Sequence, residues 1–162
     1  MKVIEVGSSE ILEKYPNKFM SIRSTFNLEL PLDAIYIISI GKLHCRDLEH
    51  SYECNLIVPI RETTNLIDSW VTSILLLCST LGESTYSTDV HYSVAKAGLI
   101  KYVENINISR PDIDLRIINL PGVLDTKMAG TPEDLTGYVT KSKAIEMIKE
   151  VINKMSMYKS QN

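Results

Sequence analysis

Leu32-Asp33-Ala34-Ile35-Tyr36-Ile37-Ile38-Ser39-Ile40-Gly41 is an almost unbroken apolar run closed by a glycine. A strand with one wetted face alternates apolar and polar residues, whereas a strand covered on both faces reads as a continuous run, the mark of a parallel sheet. Ser73-Ile74-Leu75-Leu76-Leu77-Cys78-Ser79 is a run of the same kind, and Leu115-Arg116-Ile117-Ile118-Asn119, ended by Pro121-Gly122, is a third clear strand. Segments of helical period separate and follow them. Residues 47–69 carry an apolar stripe of Leu48, Leu56, Ile60, Leu66 and Ile67, with Pro59 in the interior. A proline there lacks an N–H and is predicted to kink the helix, freeing a carbonyl near residue 55. Residues 90–106 place Val94, Ala95, Leu99, Ile100, Val103 and Ile106 on more than one face, which predicts burial on several sides. Residues 141–155 are amphipathic, with Ala144, Ile148, Val151, Ile152 and Met155 facing inward. Strands alternating with helices predict an α/β domain with a parallel sheet between helical layers.

Outward from that frame the chain is less regular. Val3-Ile4-Glu5-Val6 is a short β-type run ending at the turn Gly7-Ser8-Ser9. Residues 10–15 predict a brief helix capped by Ser9 and stopped by Pro16, and residues 19–23 a short extended piece. Residues 80–89 read as a polar loop, and residues 126–140 as a long polar loop with a short helix. The 162 residues suit one domain, with an apolar fraction of 44% that is ordinary for a soluble protein. A formal net charge of −3 gives no electrostatic reason to expect nucleic acid or an anionic membrane as partner. No apolar run approaches the roughly 18 residues of a membrane span. The opening residues lack a signal peptide's apolar core. Three cysteines make no even disulfide framework, so the expected location is a reducing cytoplasm. His44, Cys45, His50 and Cys54 cluster in sequence but lack the tight paired spacing of zinc sites, so no metal is expected.

The chemistry-bearing pair is Tyr92 and Lys96, four apart on a predicted helix and therefore on one face. A phenol ordinarily titrates near 10, and a neighbouring cation favours the phenolate. The pair is thus suited to exchange a proton with a substrate oxygen. Ser79, Asn119 and Gly41 stand at strand ends, where parallel sheets place their ligands.

With these motifs in this order, the sequence resembles the short-chain dehydrogenase/reductase family. The run ending at Gly41 resembles that family's strand ending in Asn-Asn-Ala-Gly. Cys54-Asn55-Leu56 resembles the segment with its helix asparagine, just before Pro59. Leu75–Ser79 resembles the strand that delivers the catalytic serine, and Ser79 precedes Tyr92 by thirteen positions. Tyr92-Ser93-Val94-Ala95-Lys96-Ala97-Gly98 resembles the tyrosine–lysine signature, and Asn119-Leu120-Pro121-Gly122 through Thr126 the segment that touches nicotinamide. The resemblance spans roughly residues 32–155. It implies a three-layer Rossmann-like fold and an oxidoreductase using NAD or NADP on a small hydroxyl or carbonyl substrate. Tyr92 would be the general acid or base, Lys96 would lower its pKa and bind the nicotinamide ribose, Ser79 would hold the substrate oxygen, and Asn55 would support a water-linked proton path to Lys96. Gly41, Pro121, Gly122 and Thr126 would line the cofactor. The family associates through the helices corresponding to residues 47–69 and 90–106, which implies a homodimer or homotetramer.

The amino end departs from the family. Residues 1–31 form a shortened unit ahead of the catalytic half at 32–155, with 156–162 as a tail. Val6-Gly7-Ser8-Ser9-Glu10-Ile11-Leu12 resembles a shortened remnant of a family variant, Gly-x-Ser-Ser-x-Ile-Gly, that keeps one glycine and loses the others. Under that reading Gly7, Ser8 and Ser9 would meet the cofactor. A second alignment places residues 3–9 on the family's third strand, and the sequence leaves both open. Ile38-Ser39-Ile40-Gly41 stands in place of Asn-Asn-Ala-Gly. Three functional readings therefore compete: a compact NAD(P)-dependent oxidoreductase, a dinucleotide-free protein using the same residues for dehydration, isomerisation or epimerisation, and a non-catalytic binding module.

Overall fold

The structure is a computed structural model that describes residues 2–15, 18–25, 28–43, 45, 47–83, 89–127 and 136–159. Five strands form one sheet: β1 (Val3–Val6), β2 (Lys18–Ile22), β3 (Ile35–Ile38), β4 (Ser73–Ser79) and β5 (Asp114–Leu120). Their order is β2-β1-β3-β4-β5, and every neighbouring pair is parallel. β1, β3 and the first four residues of β4 are wholly buried, as the unbroken apolar runs predict.

This order answers the question the amino end left open. β1 pairs directly with β3, Val3 opposite Ile35 through Val6 opposite Ile38. In the doubly wound order 3-2-1-4-5-6 that is the place of the first strand, beside the switch point. The outer third strand of that order is the one without a counterpart. The crossover from β1 to β2 is short, and its one regular element is a 3-10 turn at Leu12–Lys14 in place of the helix predicted over residues 10–15. Leu12 and Tyr15 fill the space such a helix would cover. Both are buried, packing with Val3, Ile35, Ile37 and Leu75 under the final helix.

That helix is α4 (Lys141–Lys159), whose Ala144, Ile148, Ile152 and Met155 are buried against one sheet face. The opposite face, with Ile4, Val6, Tyr36, Ile38, Ile74 and Leu76, packs on Leu66, Leu99 and Val103 of two further helices. The first of these spans residues 48–68 as three joined segments: α1 (Leu48–Tyr52), a π-helical turn (Glu53–Ile57) and α2 (Val58–Asp68). The disturbance ascribed to Pro59 therefore lies upstream of it, as a widened turn in which Val58 N–H donates to the Glu53 carbonyl. Pro59 itself sits in the first turn of α2, where its missing N–H is harmless. Leu48, expected in the buried stripe, is 48% exposed.

The second helix, α3 (Val90–Ser109), starts on an Asp89 cap whose Oδ1 accepts the Tyr92 N–H at 3.0 Å. Its buried positions are Tyr92, Ala95, Lys96, Leu99 and Val103, while Val94 is half exposed. Two glycines let it be approached closely. A Cβ at Gly98 would stand 3.0 Å from Leu56, and one at Gly82 would stand 2.9 Å from the Lys96 backbone carbon. The Gly82 contact fixes the short turn after β4 (Thr80–Gly82) flat on α3. Among the described residues no helix is long and apolar enough to cross a membrane. The short helix predicted within 126–140 falls on residues outside those described, but Val139 forms a parallel bridge with Val123.

Candidate active site

At the carboxyl ends of β1, β3, β4 and β5 lies a cavity of about 530 Å³. It opens at the switch point, where parallel sheets bind ligands. Ser79, Tyr92 and Lys96 all line it, so the three proton-transfer residues expected from the sequence do meet. Ser79 ends β4 and accepts the Leu81 N–H at 3.2 Å, which turns the chain sharply toward α3. The Ser79 side chain is near enough to the Tyr92 phenol, one turn into α3, to act on its acidity. Ser93 donates to the Leu81 carbonyl, tightening the same corner. Lys96, one turn further on and 2% exposed, has its Nζ 5.4 Å from the centre of the Tyr92 ring.

The electrostatics differ from the expectation. Burial pushes the Tyr92 phenol up to about 12, against the lowering effect of Ser79. Burial likewise pushes the Lys96 ammonium down, with partial opposition from Cys78. Desolvation disfavours both charged forms, so phenol and amine are each biased toward neutrality. Lys96 does not pull Tyr92 below its ordinary value here. Cys78, buried beside them with its Sγ donating to the Lys96 carbonyl at 3.5 Å, is held up as a thiol by the same burial.

Asn55 does not line the cavity. It is fully buried in the π-helical turn, where its Oδ1 accepts the Lys42 N–H at 2.7 Å and its Nδ2 donates to the carbonyls of Lys42 and Ser51. It therefore clamps the segment that follows β3. That segment includes Gly41, where a Cβ would stand 2.9 Å from Lys96 Nζ and 3.2 Å from Asn55 Oδ1. The glycine is what lets the backbone pass the amine.

Of the residues expected to meet a cofactor, Ser8, Ser9, Gly41, Pro121, Gly122 and Thr126 line the cavity with Lys96. Gly7 does not: it has φ 111°, lies against Ser39 and Ile40, and donates its N–H to the Ile22 carbonyl at 2.8 Å. Three further N–H groups of the turn around it are used internally. Ser9 N–H goes to Glu5 Oε1, Ile11 N–H to Ser9 Oγ and Leu12 N–H to the Ser9 carbonyl. A dinucleotide's pyrophosphate needs such N–H groups free at a helix N-terminus behind glycines. Here the helix is a three-residue turn, and Val6 and Leu12 stand where the Gly-x-Ser-Ser-x-Ile-Gly pattern has glycines. The phosphate end of the site does not fit a dinucleotide.

Some lining residues escaped the sequence reading. The Tyr138 ring lies directly on Gly122, where any Cβ would collide with it. Glu10 accepts the Lys127 N–H at 3.0 Å and lies 3.9 Å from Lys141 Nζ, tying the two walls of the cavity together. Tyr138 belongs to no motif, and the role of Glu10, quoted within the remnant at the amino end, appears only through its pairing across the chain. Asn119 reaches from the end of β5 to Glu83, 2.7 Å away. Among the described residues no group of three His, Cys, Asp or Glu is placed to hold a metal, and His44 falls outside those residues.

No family model and no curated protein matches the sequence. Solved structures do. The chain superposes on a short chain dehydrogenase from Burkholderia cenocepacia in complex with NADP, with TM-score 0.66, 16% identity, 90% of this chain and 83% of that one. A short-chain dehydrogenase/reductase from Vibrio parahaemolyticus gives TM-score 0.61, 16% identity, 83% of this chain and 70% of that one. An actinorhodin polyketide ketoreductase with NADPH gives TM-score 0.61 and 17% identity over 73% of this chain, which spans 59% of that one. At such identities the likeness concerns the fold, which is that of the short-chain dehydrogenases/reductases.

Proposed function

We propose that the cavity carries out redox-neutral proton transfer on a small hydroxyl or carbonyl compound, such as isomerisation or epimerisation beside a carbonyl. The observation behind this reading is the meeting of Tyr92, Ser79 and Lys96 at the strand ends, while the N–H groups of Gly7, Ser9, Ile11 and Leu12 in the β1 turn are spent within the protein. The two titratable groups have complementary tasks. Tyr92, pushed up to about 12, keeps its proton and serves as the acid toward a carbonyl oxygen. Lys96, whose charged form is disfavoured, offers an amine as base. Loss of an α-proton to Lys96 shifts that C–H electron pair into a carbon–carbon double bond, and the carbonyl oxygen takes the Tyr92 proton. Return of a proton to carbon restores the carbonyl and resets both groups. The phenolate and ammonium formed on the way stay adjacent, because Lys96 Nζ lies 5.4 Å from the phenol ring centre. Opposite charges in a shielded site stabilise each other far more than in water.

A second reading is NAD(P)-dependent oxidation or reduction of the same substrate class, as the family resemblance implies. It is favoured by Lys96, Pro121, Gly122 and Thr126 sharing one wall system. A panel of small ketones, aldehydes and hydroxy ketones incubated in D₂O tests the two. The first reading expects deuterium at the α-carbon by proton NMR without added cofactor, lost in Tyr92→Phe. Turnover that requires NADH or NADPH, with no cofactor-free exchange, would overturn it in favour of the second. For assembly, the exposed apolar side chains Leu48, Ile57, Val90 and Val94 on α1, the π-helical turn and α3 support a homodimer or homotetramer. A sedimentation mass equal to the 18.3 kDa chain would refute that.

A further inference from the structure

Glu5 lies on β1 just before the turn and is 1% exposed. A buried carboxylate is tolerated only when donors surround it. Here they come from three adjacent strands. Oε1 accepts the Ser9 N–H and the Ser39 hydroxyl, each at 2.7 Å, and Oε2 accepts the Ser21 hydroxyl at 2.9 Å. Ser21 belongs to β2, Ser9 follows β1, and Ser39 follows β3. The donors therefore converge across the switch point. A backbone N–H joined by hydroxyls is also the kind of set that binds a phosphate. Ser9 and Ser39 line the cavity, so the carboxylate stands directly behind its wall. Beside it, Glu10 fixes the Lys127 N–H and pairs with Lys141, so the charge that opposes an anion at this end is that of Glu5.

We infer that Glu5 is a resident anion that takes the place of a ligand phosphate at the switch point. It satisfies the donors a phosphate would use and opposes one by charge. The cavity is thereby selective for ligands without a phosphate at this end. The class of ligand, a small uncharged or cationic hydroxyl or carbonyl compound, rests on the proton-transfer reading above. The exclusion of phosphate rests on Glu5 alone.

Calorimetric titration with ADP, NADPH and inorganic phosphate, together with thermal shifts in phosphate and formate, tests this. Wild type is expected to give no saturable binding of any of the three and no specific shift. Glu5→Ala keeps Ser9, Ser21 and Ser39, and is expected to regain stability in phosphate or formate, with a midpoint rise that scales with anion concentration. Glu5→Gln keeps the shape while removing the charge and covers the case in which Glu5→Ala does not fold. It is expected to gain saturable ADP binding, with an affinity at least about tenfold above the detection limit that wild type fails to reach. Submillimolar binding of ADP or NADPH by wild type would overturn the inference. So would the absence of any anion response in whichever of the two variants folds. Deuterium exchange by wild type is read separately. A protein that excludes phosphate but exchanges no α-proton refutes the proton-transfer reading and leaves this one standing, whereas one that exchanges and also binds ADP does the reverse.

Discussion

At the end of β4 and the start of α3, the polar groups of Ser79, Tyr92 and Lys96 are gathered around the cavity. At the end of β1, in the same sheet, the polar groups are turned inward: Gly7, Ser9, Ile11 and Leu12 all donate their N–H groups within the protein, and Glu5 is surrounded by hydroxyls. The two regions share position in the fold but differ in what is left for a ligand. Buried polar groups must be satisfied by something, and whether that partner is internal or external decides whether a strand end is a site or a seal. The α3 end is the site. The β1 end forms part of the wall but spends most of its polar groups on internal partners.

The sharpest way to break this comparison acts on the open end. Tyr92→Phe removes the proton donor and keeps the ring, so α-proton exchange should fall by about 100- to 10,000-fold with an unchanged circular dichroism spectrum. Exchange at the wild-type rate would remove Tyr92 from the chemistry. Asn55→Ala strips partners from both backbone groups of Lys42 and from the Ser51 carbonyl. Unsatisfied buried groups cost about 1–3 kcal/mol each, so urea unfolding should show a loss of about 3 kcal/mol together with loosening around Gly41.

Gly82→Ala is expected to cost about 1–3 kcal/mol, since overpacking against a backbone cannot be relieved by a side-chain rotation. The clash is with the Lys96 and Ala97 backbone, so the variant should also lower exchange by moving Ser79 relative to Tyr92. An unaffected midpoint in chemical unfolding would mean that the turn after β4 does not rest on α3.

The smallest effect sharpens the electrostatic side. Lys96→Met replaces a buried amine whose charged form is disfavoured, and should raise stability at neutral pH by about 1 kcal/mol, a gain typical of a relaxed functional constraint. The pH dependence has a definite sign. Between the lowered native pKa of Lys96 and the ordinary 10.5, the unfolded chain binds more protons, so wild-type stability rises with pH through that window and the stabilisation is lost as pH falls. Between 10 and about 12 the native Tyr92 holds the extra proton, so stability falls as pH rises. Lys96→Met should remove the part of the rise that Lys96 supplies, and Tyr92→Phe should lessen the fall, which Tyr36, also pushed up to about 12 by burial, shares. A wild-type stability profile without either slope would contradict the burial of this pair.

Much of the frame was legible because it is local. The runs at 32–41 and 73–79 are apolar on both faces, a pattern that suits a covered parallel strand, although β3 itself is shorter than its run, whereas β5 carries Arg116 and Asn119 and is only partly buried. Tyr92 and Lys96 share a helix face by spacing alone, and Ser79 ends a strand by its position after an apolar run. Asn55 was legible as a special residue beside Pro59, but not as a clamp, because its partners lie thirteen residues away at Lys42.

What the tertiary structure alone decided concerns groups brought together from distant parts of the chain. The central place of β1 follows from its pairing with β3, which no local pattern encodes. The upward push on Tyr92, opposite to the effect expected from a lysine four residues on, comes from desolvation by everything packed around the pair. Glu5 looked like a polar interruption in a strand until Ser9, Ser21 and Ser39 closed around it. Sequence period fixes which way a side chain faces, because backbone geometry repeats. Charge state and hydrogen-bond partners depend on neighbours in space, and those exist only once the sheet has formed.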